Sequence, residues 1–320
     1  MHIDPRSFSA DAIDASTLAA NEMLEKLLAQ QPSFDSQTPA QIRAARESGA
    51  STLPPPVRLA HAQTRRIRGA AGEIPLRIFP HDAPRGVYLH IHGGGWTLGA
   101  ADQQDVMLDA IARAARATVV SVEYRLAPEH PYPAGPDDCE AAALWLAENA
   151  QREFGAAPLA IGGESAGAHL SAVTLLRLRD KHGATPFAAA NLVYGCYDLG
   201  FTPSVRNWGE RNLVLSTPII EWFTNHFVPD RARRASADAS PLHANLAGLP
   251  PALFTVGTLD PLLDDTLFMA QRWLAAGNRA ELAIYPGGVH GFNLFPMPLG
   301  EVALRRSESF LADALAGANP

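Results

Sequence analysis

The chain has 320 residues, of which 47% are hydrophobic and 18% are charged, a composition that is typical of a packed globular protein. Its formal net charge of −7 argues against nucleic-acid binding, and its two cysteines are too few and too far apart for a disulfide framework. No stretch reaches the roughly 18 apolar residues that span a bilayer, and no secretory signal is visible, so we expect a cytoplasmic protein without a membrane partner.

The first fifty residues are polar and rich in alanine, and they contain one predicted helix. Between Ser16 and Gln30 the apolar residues recur mostly on one helical face, which predicts an amphipathic helix that ends before Pro32. The run Pro54-Pro55-Pro56 then marks a boundary before the first strands.

Beyond this boundary, short apolar strands alternate with longer helical stretches. Strands are predicted at Val57–Arg68, Ile74–Phe79, Gly86–Ile91, Thr118–Tyr124, Leu159–Gly162, Ala188–Val193, Ala252–Val256 and Leu282–Tyr285. Helices are predicted at Gln103–Ala117, Pro136–Glu153, Ala166–Lys181, Leu262–Ala276 and Glu301–Ala316. Such a pattern is typical of a mostly parallel sheet that is buried on both faces, although the first two strands are too close for a crossover helix and should pair antiparallel. The prediction is an α/β fold, a mostly parallel eight-stranded sheet flanked by helices.

The segment from Tyr197 to Leu242 interrupts this alternation, because it carries several aromatic residues among turn residues and no clear strand. We expect residues 197–242 to be an insertion that folds with residues 1–50 into a helical cap over the active face. Residues 51–196 and 243–320 would then form the catalytic domain. A helical excursion without a lid role is the alternative interpretation.

The strongest chemical signal is the run Gly163-Glu164-Ser165-Ala166-Gly167, which lies between a predicted strand and a predicted helix. In that context G-x-S-x-G indicates a nucleophile elbow, a tight turn that holds the serine hydroxyl clear of the backbone. The flanking glycines are expected because the neighbouring chain passes too close for side chains. Ser165 is therefore the candidate nucleophile, and the amide of Ala166 at the helix start is a candidate donor to a negative charge.

A second signal is the run His92-Gly93-Gly94-Gly95-Trp96, directly after a predicted strand. Consecutive glycines allow backbone N–H groups to converge on one point, as an oxyanion in acyl transfer requires. A phosphate cradle is disfavoured, because neither the P-loop nor the dinucleotide spacing is present. His90 and His92 alternate on the strand, but no acidic or cysteine ligand lies at a useful spacing, so we expect no metal site.

A serine nucleophile needs a base, and the base needs a carboxylate that orients it. Asp260 follows one predicted strand of the C-terminal third, and His290 follows the next. The chain order Ser165, Asp260, His290 is the order expected for this kind of fold. Asp264 and Asp265 compete for the role of the acid, but both are predicted to lie in the following helix rather than at the strand end.

Taken together, the motifs resemble those of the hormone-sensitive lipase family of α/β hydrolases. The resemblance rests on HGGGW at 92–96, GESAG at 163–167, EYRLAPEHPYPAG at 123–135, SPLHANLAGLPPALFTVGTLDPLLDD at 240–265 and HGF at 290–292. It covers roughly residues 70–315. Two departures are Glu164, where the family usually has Asp, and Ala168, where a second glycine is common.

The resemblance implies a carboxylesterase with the triad Ser165, Asp260 and His290, a cap, and an oxyanion hole formed by the amides of Gly94, Gly95 and Ala166. Arg125, Glu129 and His130, in the segment that resembles YRLAPEHP, are interpreted as scaffolding. Relatives often dimerise through a sheet edge or the last helix, so a homodimer is the candidate assembly.

The predicted function is hydrolysis of small esters with short- to medium-chain acyl groups, without a metal ion or organic cofactor. Candidates to line the acyl pocket are Trp96, Trp208, Leu213, Leu215, Trp222 and Phe223, although each could instead pack within the cap. Two alternatives remain. One is an amidase or formamidase on the same fold. The other is a non-catalytic small-molecule receptor, which the presence of His290 disfavours.

Overall fold

A twisted sheet of eight strands, in the order β1-β2-β4-β3-β5-β6-β7-β8, organises the chain. The structure is a computed structural model that describes residues 3–51, 55–295 and 297–317. The strands are β1 (Gln63–Gly69), β2 (Gly72–Phe79), β3 (Gly86–Ile91), β4 (Ala117–Val122), β5 (Leu159–Glu164), β6 (Phe187–Val193), β7 (Ala252–Leu259) and β8 (Ala280–Val289). Only β2 runs against the others, so the prediction of a mostly parallel sheet with an antiparallel first pair is confirmed.

Helices cover both faces of the sheet. They are α1 (Ala15–Leu28), α2 (Pro39–Glu47), α3 (Asp105–Ala115), α4 (Ala134–Phe154), α5 (Ala166–His182), α6 (Pro203–Trp208), α7 (Thr217–Phe227), α8 (Leu263–Ala275) and α9 (Pro298–Leu315). Because side chains alternate along a strand, Tyr88 of β3 packs with α3 and α9, while Val87 and Leu89 face the core shared with α4 and α5. No helix in the described part of the chain has the length and apolar character of a membrane span.

Two local predictions differ from the structure. The first strand begins at Gln63 rather than Val57, because side chains satisfy the backbone before it. The amide of Leu59 donates to Asp105 (2.8 Å), and the Arg77 guanidinium donates to the Leu59 carbonyl (3.2 Å). Helix α2 was not predicted, although Thr38 and Gln41 form the capping box that starts it. Of the predicted proline boundary, Pro54 lies outside the described residues.

The N-terminal segment and the insertion at 197–242 touch one another above the carboxyl ends of the strands. Phe34 packs edge-on against Trp222 and Phe223 of α7, at ring-centroid distances of 5.5 and 5.6 Å. Helix α1 packs near the end of β8, where the Asn21 side chain donates to the Gly287 carbonyl at 2.8 Å. The Phe34 contacts thus bring together two segments that are far apart in sequence, and the Asn21 contact ties α1 to the sheet.

Candidate active site

Ser165 lies on the turn between β5 and α5, and this turn is too tight for a side chain on either neighbouring glycine. Its backbone has φ 57° and ψ −120°, a strained conformation for a residue other than glycine. A Cβ atom on Gly163 or Gly167 would come within 2.0 or 1.8 Å of the Ile91 carbonyl oxygen at the end of β3. The close passage of β3 therefore requires both glycines, and Ser165 itself remains partly exposed.

Three residues from different strand ends form a hydrogen-bonded chain. His290 Nε2 lies 2.9 Å from Ser165 Oγ, and His290 Nδ1 lies 2.9 Å from Asp260 Oδ2. Asp260 is 1% exposed, and its other oxygen accepts from the Leu262 amide at 2.9 Å. With Nδ1–H donated to the carboxylate, Nε2 is the nitrogen that can accept the serine proton.

The two competing carboxylates lie elsewhere. Asp264 accepts from the Ser204 amide at 2.8 Å. Asp265 is fully buried and accepts from the amides of Tyr197 and Asp198, at 2.6 and 2.9 Å, where the insertion begins. Burial raises the pKa of Asp265 to about 7. Both residues thus anchor the insertion to α8.

The loop His92–Trp96 supplies backbone N–H groups without partners. The Gly93 amide donates to Glu164 at 2.7 Å. Within the described residues, by contrast, the amides of Gly94, Gly95 and Ala166 have no acceptor in the protein. Gly94 and Gly95 have φ of 110° and 59°, and a Cβ on Gly95 would lie 2.2 Å from the Phe223 ring. The loop thus depends on glycine both for its conformation and for the approach of α7.

Glu164 joins this loop to the elbow, a role that sequence analysis missed. Its carboxylate accepts from the Gly93 amide and the Gln104 side chain, each at 2.7 Å, and lies 3.0 Å from His90 Nε2. Burial alone would raise the pKa of Glu164, but His90 and these donors hold it below its usual range. The sequence signal for this role was the presence of Glu164 where the family usually has Asp, since one more methylene extends the reach of the carboxylate.

His90 and His92 point to different partners rather than to a common centre. His90 Nδ1 lies 2.9 Å from Ser121 Oγ, whereas the His92 ring stacks on Tyr124 at 4.2 Å. Burial lowers the pKa of His92 to about 4, which keeps its ring neutral at pH 7. The parts of the chain that the structure describes hold no group of three or more side chains suited to a metal ion.

Tyr194, which was not singled out in the sequence, contacts the candidate base. Its ring meets His290 edge-on at 4.7 Å, and its hydroxyl donates to Asn293. Tyr194 follows β6 directly, at the same edge of the sheet as Ser165, Asp260 and His290. That position after a strand was the available signal, although aromatic residues at such positions are also common in cores.

The candidates for the acyl pocket differ in exposure. Trp96 is 3% exposed and Leu213 is fully buried, so both are packed among other side chains. Leu215 is also buried, and the indole N–H of Trp208 donates to the Arg211 carbonyl at 2.7 Å. Trp222 is partly exposed and touches Phe223, which packs against Gly95. Phe34 lies beside both rings and was missed because it stands alone in a polar segment.

A mostly parallel eight-stranded sheet, with a serine on a strand-to-helix turn and a histidine at hydrogen-bonding distance from it, defines the α/β-hydrolase class. A family model described as alpha/beta hydrolase fold matches residues 88–294. The chain belongs to this family, and within it to the hormone-sensitive lipase-like branch that its motifs resemble.

Relatives support the same assignment. Carboxylic ester hydrolase LipN of Mycobacterium tuberculosis is 41% identical over 253 residues, which cover 74% of this chain and 66% of LipN, slightly less than two thirds of its length. Carboxylesterase NlhH of the same species is 38% identical over 256 residues, covering 76% of this chain and 79% of NlhH. A solved esterase from Pyrobaculum calidifontis superposes with a TM-score of 0.85 at 29% identity, over 93% of this chain and 98% of that one.

Proposed function

We propose that this chain, a carboxylic ester hydrolase, cleaves short- to medium-chain acyl esters with Ser165 as nucleophile, His290 as base and Asp260 as the orienting carboxylate. The observation that carries the proposal is the chain of two 2.9 Å contacts from Asp260 through His290 to Ser165. The free amides of Gly94, Gly95 and Ala166 support it, because they supply donors near the nucleophile for the charge that develops on the ester oxygen.

In the first half of the reaction, Ser165 Oγ attacks the ester carbonyl carbon while His290 Nε2 takes its proton. Amides of Gly94, Gly95 and Ala166 donate to the resulting oxyanion, and Asp260 stabilises the imidazolium. The tetrahedral intermediate collapses to an acyl-enzyme, and the departing alcohol carries away the proton from His290.

Water completes the cycle by the same route. His290 removes a proton from the water as it attacks the acyl-enzyme carbonyl, and the second intermediate collapses to the carboxylic acid and Ser165, which regains its proton from His290. Each proton that is taken up is returned, and no step requires a metal ion or an organic cofactor.

We further propose that residues 1–50 and 197–242 form the cap that limits the acyl chain, over a catalytic domain of residues 51–196 and 243–320. Phe34, Trp222 and Phe223 form an aromatic cluster against Gly95, next to the proposed oxyanion donors. An aromatic layer so close to the reacting carbonyl favours a short acyl pocket. Trp96, Trp208, Leu213 and Leu215 stay candidates to line this pocket, with packing within the cap as the alternative.

A cytoplasmic location and a homodimer stay predictions. Cell fractionation with an antibody to the chain tests the first, with recovery in the soluble cytoplasmic fraction as the expected result. Light scattering coupled to size-exclusion chromatography tests the homodimer, because it compares the measured molar mass with that of one chain, 34.2 kDa.

The decisive experiment measures kcat/KM on p-nitrophenyl esters from acetate to palmitate, with Ser165→Ala as the control. A serine-dependent maximum at short or medium acyl chains is expected, and Ser165→Ala should lower kcat by roughly 10³–10⁶-fold. Retention of near-wild-type turnover in Ser165→Ala would overturn the assignment of the nucleophile. Preference for the matching amide over the ester would favour the amidase alternative.

A further inference from the structure

A buried relay of hydrogen bonds runs from the glycine loop to the segment that returns from the cap. The indole N–H of Trp96, the last residue of the loop, donates to His169 Nδ1 at 3.0 Å. The opposite nitrogen, His169 Nε2, lies 2.8 Å from the carbonyl oxygen of Ala239. His169 is fully buried in α5, one turn after the nucleophile, and its amide donates to the Ser165 carbonyl at 3.1 Å.

The chemistry of these partners allows only one form of His169. An indole nitrogen can only donate and a carbonyl oxygen can only accept, so Nδ1 must be unprotonated and Nε2 must carry the hydrogen. Burial lowers the pKa of His169 to about 4, so the ring stays neutral at pH 7. A neutral ring can accept a hydrogen bond at Nδ1 and donate one from Nε2. A phenyl ring in its place would leave a buried N–H and a buried carbonyl without partners.

The glycine loop needs such outside support. Gly94, Gly95 and Trp96 have φ of 110°, 59° and 59°, three consecutive residues in the left-handed region. That conformation is unfavourable for tryptophan, which has a Cβ, so contacts from outside the loop stabilise it. The Ala127 amide donates to the Trp96 carbonyl at 2.9 Å, and the side chain makes two further contacts. Its indole stacks on Phe227 at 4.6 Å with an interplanar angle of 7°, which fixes the ring plane, while His169 fixes its direction within that plane.

The orientation of Trp96 bears directly on the proposed oxyanion hole. Trp96 follows Gly95 in the chain, so a displacement of Trp96 moves the Gly95–Trp96 peptide, and the rotation at Gly95 and Gly94 that accommodates it turns the peptide planes that carry their amides. A shift of about 1 Å in a catalytic group can cost roughly 10²-fold in rate.

We propose that His169 is a positioning residue for ester hydrolysis, which acts through the Trp96 indole to hold the Gly94 and Gly95 amides in the geometry that binds the oxyanion. The inference rests on the proposed function, since it assigns a role within that reaction. His169 also accounts for why the loop ends in tryptophan, because phenylalanine could stack on Phe227 but could not donate to the histidine.

The test compares Trp96→Phe, which removes the indole N–H together with part of the ring, with His169→Phe, which removes both ring nitrogens at similar volume. Each should lower kcat on p-nitrophenyl acetate by roughly 10–100-fold, less than the 10²–10³-fold loss of a whole oxyanion donor, with KM within about threefold. The affinity for a boronic acid, which forms a tetrahedral adduct with the serine, should fall by a similar factor.

Three comparisons separate positioning from a loss of stability. Trp273→Phe removes another buried indole N–H, which donates to the Pro250 carbonyl at 2.9 Å away from the active site, and it should leave kcat unchanged. His169→Gln offers one acceptor and one donor, and it should recover most of the activity that His169→Phe loses. The double variant of Trp96→Phe and His169→Phe should be no slower than the slower single variant, since both changes break one relay.

Additive losses in the double variant, or a rise in KM at constant kcat, would overturn the inference. If His169→Phe does not fold, the comparison of Trp96→Phe with Trp273→Phe tests the inference by itself. Equal kcat values in these two variants would overturn the inference. Full turnover in both relay variants, with Ser165→Ala inactive, would overturn this inference and leave the proposed function standing. Near-wild-type turnover in Ser165→Ala would instead overturn the proposed function and this inference with it.

Discussion

The edge of the sheet that carries the proposed catalytic residues and the proposed cap above it are built on different principles. At the edge, Ser165, Asp260 and His290 directly follow strands β5, β7 and β8, which backbone pairing through β6 holds in one sheet. In the cap, α6 has 6 residues and α7 has 11, and their neighbours include Phe34 from the other end of the chain. Short helices depend on tertiary packing for stability, so cap geometry is set by side-chain contacts.

This difference predicts which substitutions should change the rate of ester hydrolysis and which should change the free energy of unfolding. The strand-end residues are proposed to carry and position the reacting atoms, so their loss should appear mainly in kcat. Buried cap residues hold the layer together, so their loss should appear mainly in the free energy of unfolding.

The largest effect is expected for the acid at the strand end. Asp260→Asn should lower kcat by roughly 10⁴-fold, because an amide no longer enforces the histidine tautomer that leaves Nε2 free. Asp264→Asn, four residues on and bonded only to the insertion, should stay within about threefold of wild type on the same ester. Comparable losses in the two variants would contradict the assignment of Asp260.

Two glycine-to-alanine substitutions compare the room for a Cβ atom in the two regions. In Gly167→Ala the new Cβ would lie 1.8 Å from the Ile91 carbonyl, so the elbow must move, at a cost of about 3 kcal/mol and a large loss of kcat. In Gly209→Ala, in the proposed cap, the new Cβ meets nothing within 4 Å, and the backbone conformation of φ 80° and ψ −147° should by itself cost about 1–3 kcal/mol.

Urea unfolding and ester turnover of both glycine variants test this contrast. A Gly167→Ala enzyme with normal kcat and stability would show that the elbow is less constrained than its contacts indicate.

Two pocket candidates separate packing from substrate contact within the cap. Leu213→Ala should lower the free energy of unfolding by about 2–3 kcal/mol, because Leu213 is fully buried beside Tyr194 and Phe292. Trp222→Ala removes a partly exposed ring that lies beside Phe223, and it should shift the optimum to longer acyl chains with a smaller loss of stability. An unchanged chain-length profile in Trp222→Ala would remove it from the pocket.

The smallest expected effect is on how the free energy of unfolding depends on pH. Two buried groups, His169 in α5 and Asp265 in α8, should contribute with opposite signs. Burial lowers the pKa of His169 to about 4, below the value near 6.5 of an unfolded chain, so its contribution to stability is lost as pH falls from about 6.5 to 4. Burial raises the pKa of Asp265 to about 7, so its contribution is lost as pH rises from about 4 to 7.

Unfolding measured by urea between pH 4.5 and 6.5 separates these contributions. His169→Gln should make the rise of stability with pH shallower, and Asp265→Asn should make it steeper, each by up to about 1.4 kcal/mol per pH unit. Parallel slopes in wild type and both variants would show that neither group titrates as its burial indicates.

Much of the architecture was accessible from sequence because it depends on local patterns. The alternation of strands and helices and the G-x-S-x-G turn follow from residues close together in the chain, and Asp260 and His290 were found because each directly follows a predicted strand. Helix α2 was also accessible in principle, since Thr38 and Gln41 carry a local capping signal.

Local patterns therefore predicted the fold class and the candidate residues at the strand ends, since periodicity and turn chemistry are local properties of the chain. Only the tertiary structure decided that Glu164 reaches Gly93, that His169 joins Trp96 to Ala239, and that Phe34 meets α7. The physical reason is sequence separation. Each of these contacts joins segments about 70 or more residues apart, and which side chains meet there depends on how the layers pack against the sheet.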